Sequence, residues 1–244
     1  DLHWKQRRQR QMCIRDSQKV ETIAQQLQAR GWSVGAVTSV PVSHATPAAS
    51  YAHNVHRSDY QDLTRDLLGL PSVTHPDRPL SGLDVLIGTG AGSETQESSD
   101  QGANFVPGNI YLTQKDLEAI DVRKGGRYVV AARSKNQEGW ESLRNAAATA
   151  VTQHQRLFGF FGVPSTKHLP FETANGDYLP ATDNSKNSET YTSEDLKENP
   201  TLAQMTEAAI QVLSTNPKGF WCWLNPGMLT GPATITIWTM RLAL

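Results

Sequence analysis

Apolar positions along residues 18–221 alternate between a helical and a strand-like period. In residues 20–30, Val20, Ile23, Ala24 and Leu27 fall on one helix face, and Gly31 follows as a C-terminal stop. Residues 33–40 read as a buried strand carrying Val34, Val37 and Val40. Residues 46–54 are predicted as a helix opened by Thr46 and Pro47, since proline is tolerated in a first turn. A short helix over 60–68 and an apolar strand over 83–87, ended by Gly88, come next. The remaining predictions are a Thr113-capped helix over 113–120, a strand over 127–132, an alanine-rich helix over 140–152 and a strand over 157–161. Residues 172–198 are polar and read as a long loop or insertion. A helix over 200–214, with Asn199 as N-cap and Pro200 at its first position, buries Leu202, Met205, Ala209 and Val212. Asn216 and Pro217 end it, and a strand begins at 219–221. This alternation is the pattern of a layered α/β domain.

Composition refines the picture at the two ends. The chain has 244 residues, 38% hydrophobic and 19% charged, with a net charge of -1, which suits a folded core and argues against nucleic acid as the main partner. Residues 1–17 hold five basic residues against two acidic ones, and residues 222–244 hold Arg241 and no acid. Between them, residues 18–221 hold 17 basic and 22 acidic residues. Cys13 and Cys222 lie one in each unusual end, too few for a disulfide framework. No apolar signal-peptide region follows the basic N-terminus, and no run of about 20 apolar residues marks a membrane span.

The densest candidate chemistry runs from Ser43 and His44 through Thr46, His53 and His56 to Arg57, between a predicted strand and helix. Ligands gather at the carboxyl ends of strands in α/β sheets. A threonine hydroxyl suits a hard cation such as Mg²⁺, and an arginine fork suits a phosphate. On spacing alone, helix capping by Ser43 or Thr46 and solvated histidines explain the cluster better. The run Gly88-Thr89-Gly90-Ala91-Gly92 lacks the Lys-Ser/Thr of a phosphate loop and reads as a flexible surface loop. His75, His154 and His168 stand isolated, and core or solvated placements explain them as well as a ligand role does.

The stretch from Val40 to Arg57, with Val42-Ser43-His44-Ala45-Thr46-Pro47 and Tyr51-Ala52-His53 inside it, resembles the signature of the alkaline phosphatase family. So do Val20-Glu21-Thr22-Ile23-Ala24, Ser33-Val34-Gly35-Ala36-Val37-Thr38, His168-Leu169-Pro170-Phe171, Leu202-Ala203-Gln204-Met205 and Asn216-Pro217-Lys218-Gly219-Phe220-Trp221, in the family's order. The resemblance covers residues 18–221. It implies a layered α/β sandwich with a central, mostly parallel sheet, here incomplete. It also implies hydrolysis of phosphate monoesters through a serine phosphoryl-enzyme, with two Zn²⁺ and one Mg²⁺. By it, Thr46 matches the Mg²⁺ ligand, His44 a residue touching the Mg²⁺ water shell, and Arg57 the arginine that holds the substrate phosphate. A homodimer and a periplasmic or secreted location follow from the family alone.

The chain also departs from the family. No serine nucleophile with the family's flanking residues precedes Val20, so no catalytic residue is assigned. Arg10 to Ser17 resembles translated adapter sequence, and residues 1–17 are expected to be non-native. After Trp221 the family has Glu, then Asp and His four residues apart. The sequence instead places Asn225, Thr230 and Thr234 there. Back-translation of residues 222–241 with a one-nucleotide shift permits the family pattern, so residues 222–244 are expected to be a frameshifted tail; a plain alternating strand over 234–238 is the other reading. A chain lacking the nucleophile and zinc ligands is expected to be inactive. Two rival readings stay open: a sulfatase or phosphodiesterase of the same superfamily, and a non-catalytic binding or vestigial domain.

Overall fold

The computed structural model describes residues 20–97, 101–172, 176–178 and 190–226, and the backbone of 235–239. The expectations for residues 1–17, for Thr230 and Thr234, and for the middle of the 172–198 loop lie outside the described residues.

The first helix, α1 (Ile23–Ala29), starts three residues later than the apolar pattern suggests. Thr22 accepts from the Gln25 backbone N–H, and the Gln25 side chain accepts from Thr22 N–H, a reciprocal capping box. Gly31 follows at φ 84°, the left-handed conformation expected of the stop. Strand β1 (Ser33–Pro41) leads through a tight turn into the short α2 (Ala45–Ala49), then α3 (Tyr60–Leu68), which Gly69 closes at φ 73°. Next come β2 (Val85–Thr89), the small hairpin strands β3 (Glu94–Thr95) and β4 (Gly108–Asn109), and α4 (Gln114–Ile120) with Thr113 as its cap. The chain continues through β5 (Tyr128–Ala132), α5 (Gly139–Gln153), β6 (Arg156–Phe161), α6 (Ser193–Lys197), α7 (Leu202–Leu213), β7 (Phe220–Asn225) and β8 (Ile235–Thr239).

The main sheet has the order β5-β6-β2-β1-β7-β8, and its first five strands are parallel. β8 adds antiparallel to β7. Helices cover both faces, so the strands are apolar on both sides and still alternate. Val85, Ile87, Leu157, Phe161 and Val37 pack under α5 and α7 with Leu143, Ala147, Met205, Ala209 and Leu213. Leu86, Phe158, Phe160, Val34 and Ala36 pack on the opposite face with Ala24, Tyr51, Leu67, Leu68 and Tyr128. This is the α/β layering that the sequence pattern implies, with a mostly parallel central sheet.

Three expectations are corrected. The polar stretch 172–198 is not wholly loop: α6 forms at its end because Thr192 and Asp195 make a capping box. α7 begins at Leu202, capped by Thr201 with Gln204. Asn199 is therefore not its cap; its buried amide instead accepts from Gly162 N–H at 2.6 Å and donates to Asp195 O at 2.8 Å. The run Gly88–Gly92 is not a flexible surface loop. Thr89 is fully buried, and a side chain at Gly90 would meet Tyr111 at 2.6 Å.

Candidate active site

β1 is flanked by β2 and β7, so the turn after Pro41 emerges at the carboxyl end of the sheet between two parallel neighbours. Val42 N–H donates to Thr89 O, which holds that turn against the end of β2. The turn delivers Ser43, His44 and, in the first turn of α2, Thr46. His44 occupies the cap position without a side-chain hydrogen bond, so neither Ser43 nor Thr46 caps the helix. The Ser43 hydroxyl is buried and makes no hydrogen bond among the described residues, while the Thr46 side chain lies on an exposed position.

α2 ends at Ala49, five residues short of its predicted extent, and the chain leaves Arg57 near enough for its charge to act on His44. His44 is held neutral more strongly than an ordinary histidine: half-burial lowers its pKa first, and the charges of Arg57 and His168 lower it further. Arg57 is exposed and makes no hydrogen bond or ion pair among the described residues.

His168, read as isolated in the sequence, belongs to this cluster. Leu169 N–H donates to Ser39 O, and Thr89 Oγ1 donates to Lys167 O at 2.7 Å, so the 163–169 loop is tied to the ends of β1 and β2. Lys167 adopts φ 66°, an unusual conformation for a residue with a side chain, and the Thr89 hydroxyl fixes its carbonyl. Asn225 ends β7 opposite Thr38 of β1, at the same end of the sheet. The structure thus gathers His44, Thr46, Arg57, His168 and Asn225 at one end of the sheet. The block His168-Leu169-Pro170-Phe171 resembles the family, but nothing in its spacing joins the histidine to His44; the loop's tertiary hydrogen bonds bring it there.

Residues 9–228 match the family model described as alkaline phosphatase. The chain belongs to the alkaline phosphatase family. The match begins within the basic N-terminal segment and ends beyond Trp221, so it is wider than the residue-by-residue resemblance. Among similar proteins, the human tissue-nonspecific alkaline phosphatase isozyme is 25% identical over 210 residues, which are 82% of this chain and 34% of that protein. Alkaline phosphatase of Escherichia fergusonii is 28% identical over 211 residues, 82% of this chain and 40% of its own length. The crystal structure of Thermus thermophilus alkaline phosphatase aligns with 87% of this chain and 33% of that one, at 20% identity and a TM-score of 0.48. A mutant alkaline phosphatase from the Antarctic bacterium TAB5, solved with Mg bound, aligns at 17% identity and a TM-score of 0.45, over 87% of this chain and 43% of that one. The chain therefore spans between a third and two fifths of the length of these two sequence relatives.

Family enzymes work with metal ions, and the residues present can be compared with that need. Thr46 and Asn225 offer neutral oxygens of the hard kind that Mg²⁺ prefers. Zinc needs imidazole or carboxylate ligands converging on one point. Among the described residues, the one group of three or more such side chains is His53, Asp66 and His75, which includes none of the residues gathered around His44. The residues at the strand ends thus fit magnesium in part and do not fit zinc.

Proposed function

We propose that the protein to which this chain belongs hydrolyses phosphate monoesters, and that this chain supplies the phosphate-binding side of the site. The observation that carries the reading is Arg57. It is a guanidinium with no hydrogen-bond or ion-pair partner among the described residues, set where its charge acts on a neutral His44 at the carboxyl end of the sheet. A guanidinium can hold two phosphate oxygens at once through parallel N–H donors. Keeping His44 neutral prevents a second positive charge from competing with it and leaves one ring nitrogen able to accept from a water. Thr46 would hold Mg²⁺ through its hydroxyl oxygen, with His44 touching the water around it. Bound there, the ion would supply positive charge to the reacting oxygens.

In the family reading the phosphoryl group passes to a serine and then to water. The sequence offers no serine in the family's nucleophile setting, and no zinc ligand set lies beside Arg57 among the described residues, so no zinc-dependent step is assigned to this chain. The chain as written is therefore inactive by itself. The same reading carries export to the periplasm or cell exterior, and a homodimer.

The test compares two forms. The 244-residue chain, assayed with p-nitrophenyl phosphate in Zn²⁺ and Mg²⁺, should show no turnover above its Arg57→Ala variant. Metal-dependent turnover well above that variant would overturn the inactivity. Resequencing the encoding DNA, repairing the frame after Trp221 and restoring upstream sequence should give metal-dependent hydrolysis. In that form, Arg57→Ala should lower kcat/KM by about 10²- to 10³-fold, the scale of losing one preorganised electrostatic contact. Undiminished activity in the repaired variant would refute the role of Arg57.

A further inference from the structure

Away from the strand-end cluster, three segments bring a second group of ligand-type side chains together. His53 lies just after α2, Asp66 lies within α3, and His75 lies in the loop between α3 and β2. A ligand atom of each lies within 4.8 Å of the other two. The Asp66 side chain is fully buried and that of His75 is 12% exposed.

The hydrogen bonds around these side chains are those expected of an outer shell. His53 Nε2 lies 3.0 Å from Val20 O, a carbonyl that can only accept, so Nε2 carries the proton. Nδ1 of the same ring is then a bare lone pair. It is buried and has no hydrogen-bond partner among the described residues. Histidines that bind metals usually donate their other ring N–H to a carbonyl or carboxylate in this way. Asp66 is held equally firmly. Its oxygens accept from Ser72 Oγ at 2.5 Å and from the His53 backbone N–H at 2.9 Å, and His75 Nδ1 lies 2.9 Å away. His53 and His75 both line an open pocket of about 390 Å³, with Glu21, Gln25 and Tyr51 also on its wall.

We propose that His53, Asp66 and His75 form a binding site for a divalent transition-metal ion, with Zn²⁺ as the best match to two imidazoles and one carboxylate. A tetrahedral Zn²⁺ with bonds of about 2.0–2.2 Å needs ligand atoms roughly 3.4 Å apart, so a closure of about an ångström seats the ion. The open pocket leaves room for water at the fourth position. The ion ties the 70–82 loop and the segment after α2 to α3. The site shares no residue with the phosphate-binding cluster and stands whether or not the reading of that cluster holds.

Zn²⁺ titrated calorimetrically into the full chain, after stripping with chelator, should bind at a site that His53→Gln and His75→Gln each weaken by at least about 100-fold, the upper end of what losing even an outer-shell partner costs. Should either variant fail to fold, the unsubstituted chain decides. Nitrogen NMR of its histidine rings should show His53 and His75 shifting to metal-bound positions on Zn²⁺ addition. No Zn²⁺ binding, equal affinity in the folded variants, or shifts confined to other histidines such as His44 and His168 would overturn the site.

Discussion

Asn199 shows how one buried polar side chain can set the position of two elements. Its amide oxygen takes the Gly162 N–H that follows β6, and its amide nitrogen holds the Asp195 carbonyl of α6. Beside it, Arg133 donates to Asp195 at 2.8 Å, Glu198 at 3.0 Å and Gly162 O at 2.9 Å. The group is only 7% exposed, so water cannot replace a lost partner. Asn199→Ala is expected to cost about 1–3 kcal/mol, because it leaves a buried backbone N–H unpaired. Urea denaturation of the two chains would measure this, and an unchanged midpoint would show that the amide contributes nothing. In the sequence, an asparagine before a proline at a helix start reads as a cap. Its real partner lies 37 residues away, where no local pattern reaches.

At the scale of elements, helix starts are decided by capping boxes rather than by the first apolar residue. Thr22 with Gln25, and Thr201 with Gln204, each satisfy two otherwise unpaired N–H groups, and α1 and α7 begin immediately after them. Thr201→Ala should destabilise the chain by roughly 1 kcal/mol. Thr201→Ser, which keeps the hydroxyl, should restore most of that loss; equal loss in both variants would exclude the cap as the cause. The early end of α2 has the same kind of origin. Ser50 Oγ donates to Pro47 O, His53 N–H donates to Asp66, and Asn54 donates to Asp59. The Ser50 and Asp66 side chains thus take two backbone groups, Pro47 O and His53 N–H, that a helix continued to residue 54 would have used, and the chain turns so that the charge of Arg57 reaches His44.

Across the whole molecule, several protons are held by burial. Tyr111 is pushed up to about 12 by burial, with Tyr60 adding to the effect, and the buried Cys222 thiol is pushed up to about 12. Burial also raises Tyr51 and Tyr128. Each group binds its proton more tightly folded than unfolded, so each contributes stability below its unfolded pKa of 9.0 for the thiol or 10.0 for a phenol. That contribution is lost as pH rises through the folded values. Folding stability should therefore fall steadily from about pH 9 towards pH 12, with tyrosine ionisation by ultraviolet absorbance coinciding with loss of circular dichroism. All six tyrosines titrating near pH 10 in a chain that stays folded would contradict this.

Taken alone, the amino-acid order determined the α/β alternation, because apolar spacing reports which face of each element must leave water. It also carried the family, because the run from Val40 to Arg57 and the blocks around it keep their order. It placed Thr46 and Arg57 within one segment, since both lie on the short stretch of chain between β1 and α3. The tertiary structure decided what local spacing does not encode. Val129, Leu157 and Met205 meet across distant stretches of the chain to close one face of the sheet. His168 joins His44 only because Thr89 and Ser39 anchor its loop. His75, one of three isolated histidines in the sequence, meets Asp66 and His53 only because the loop after α3 folds back over it. Period and propensity act over a few residues, whereas these groupings depend on hydrogen bonds and packing that exist only once the sheet has formed.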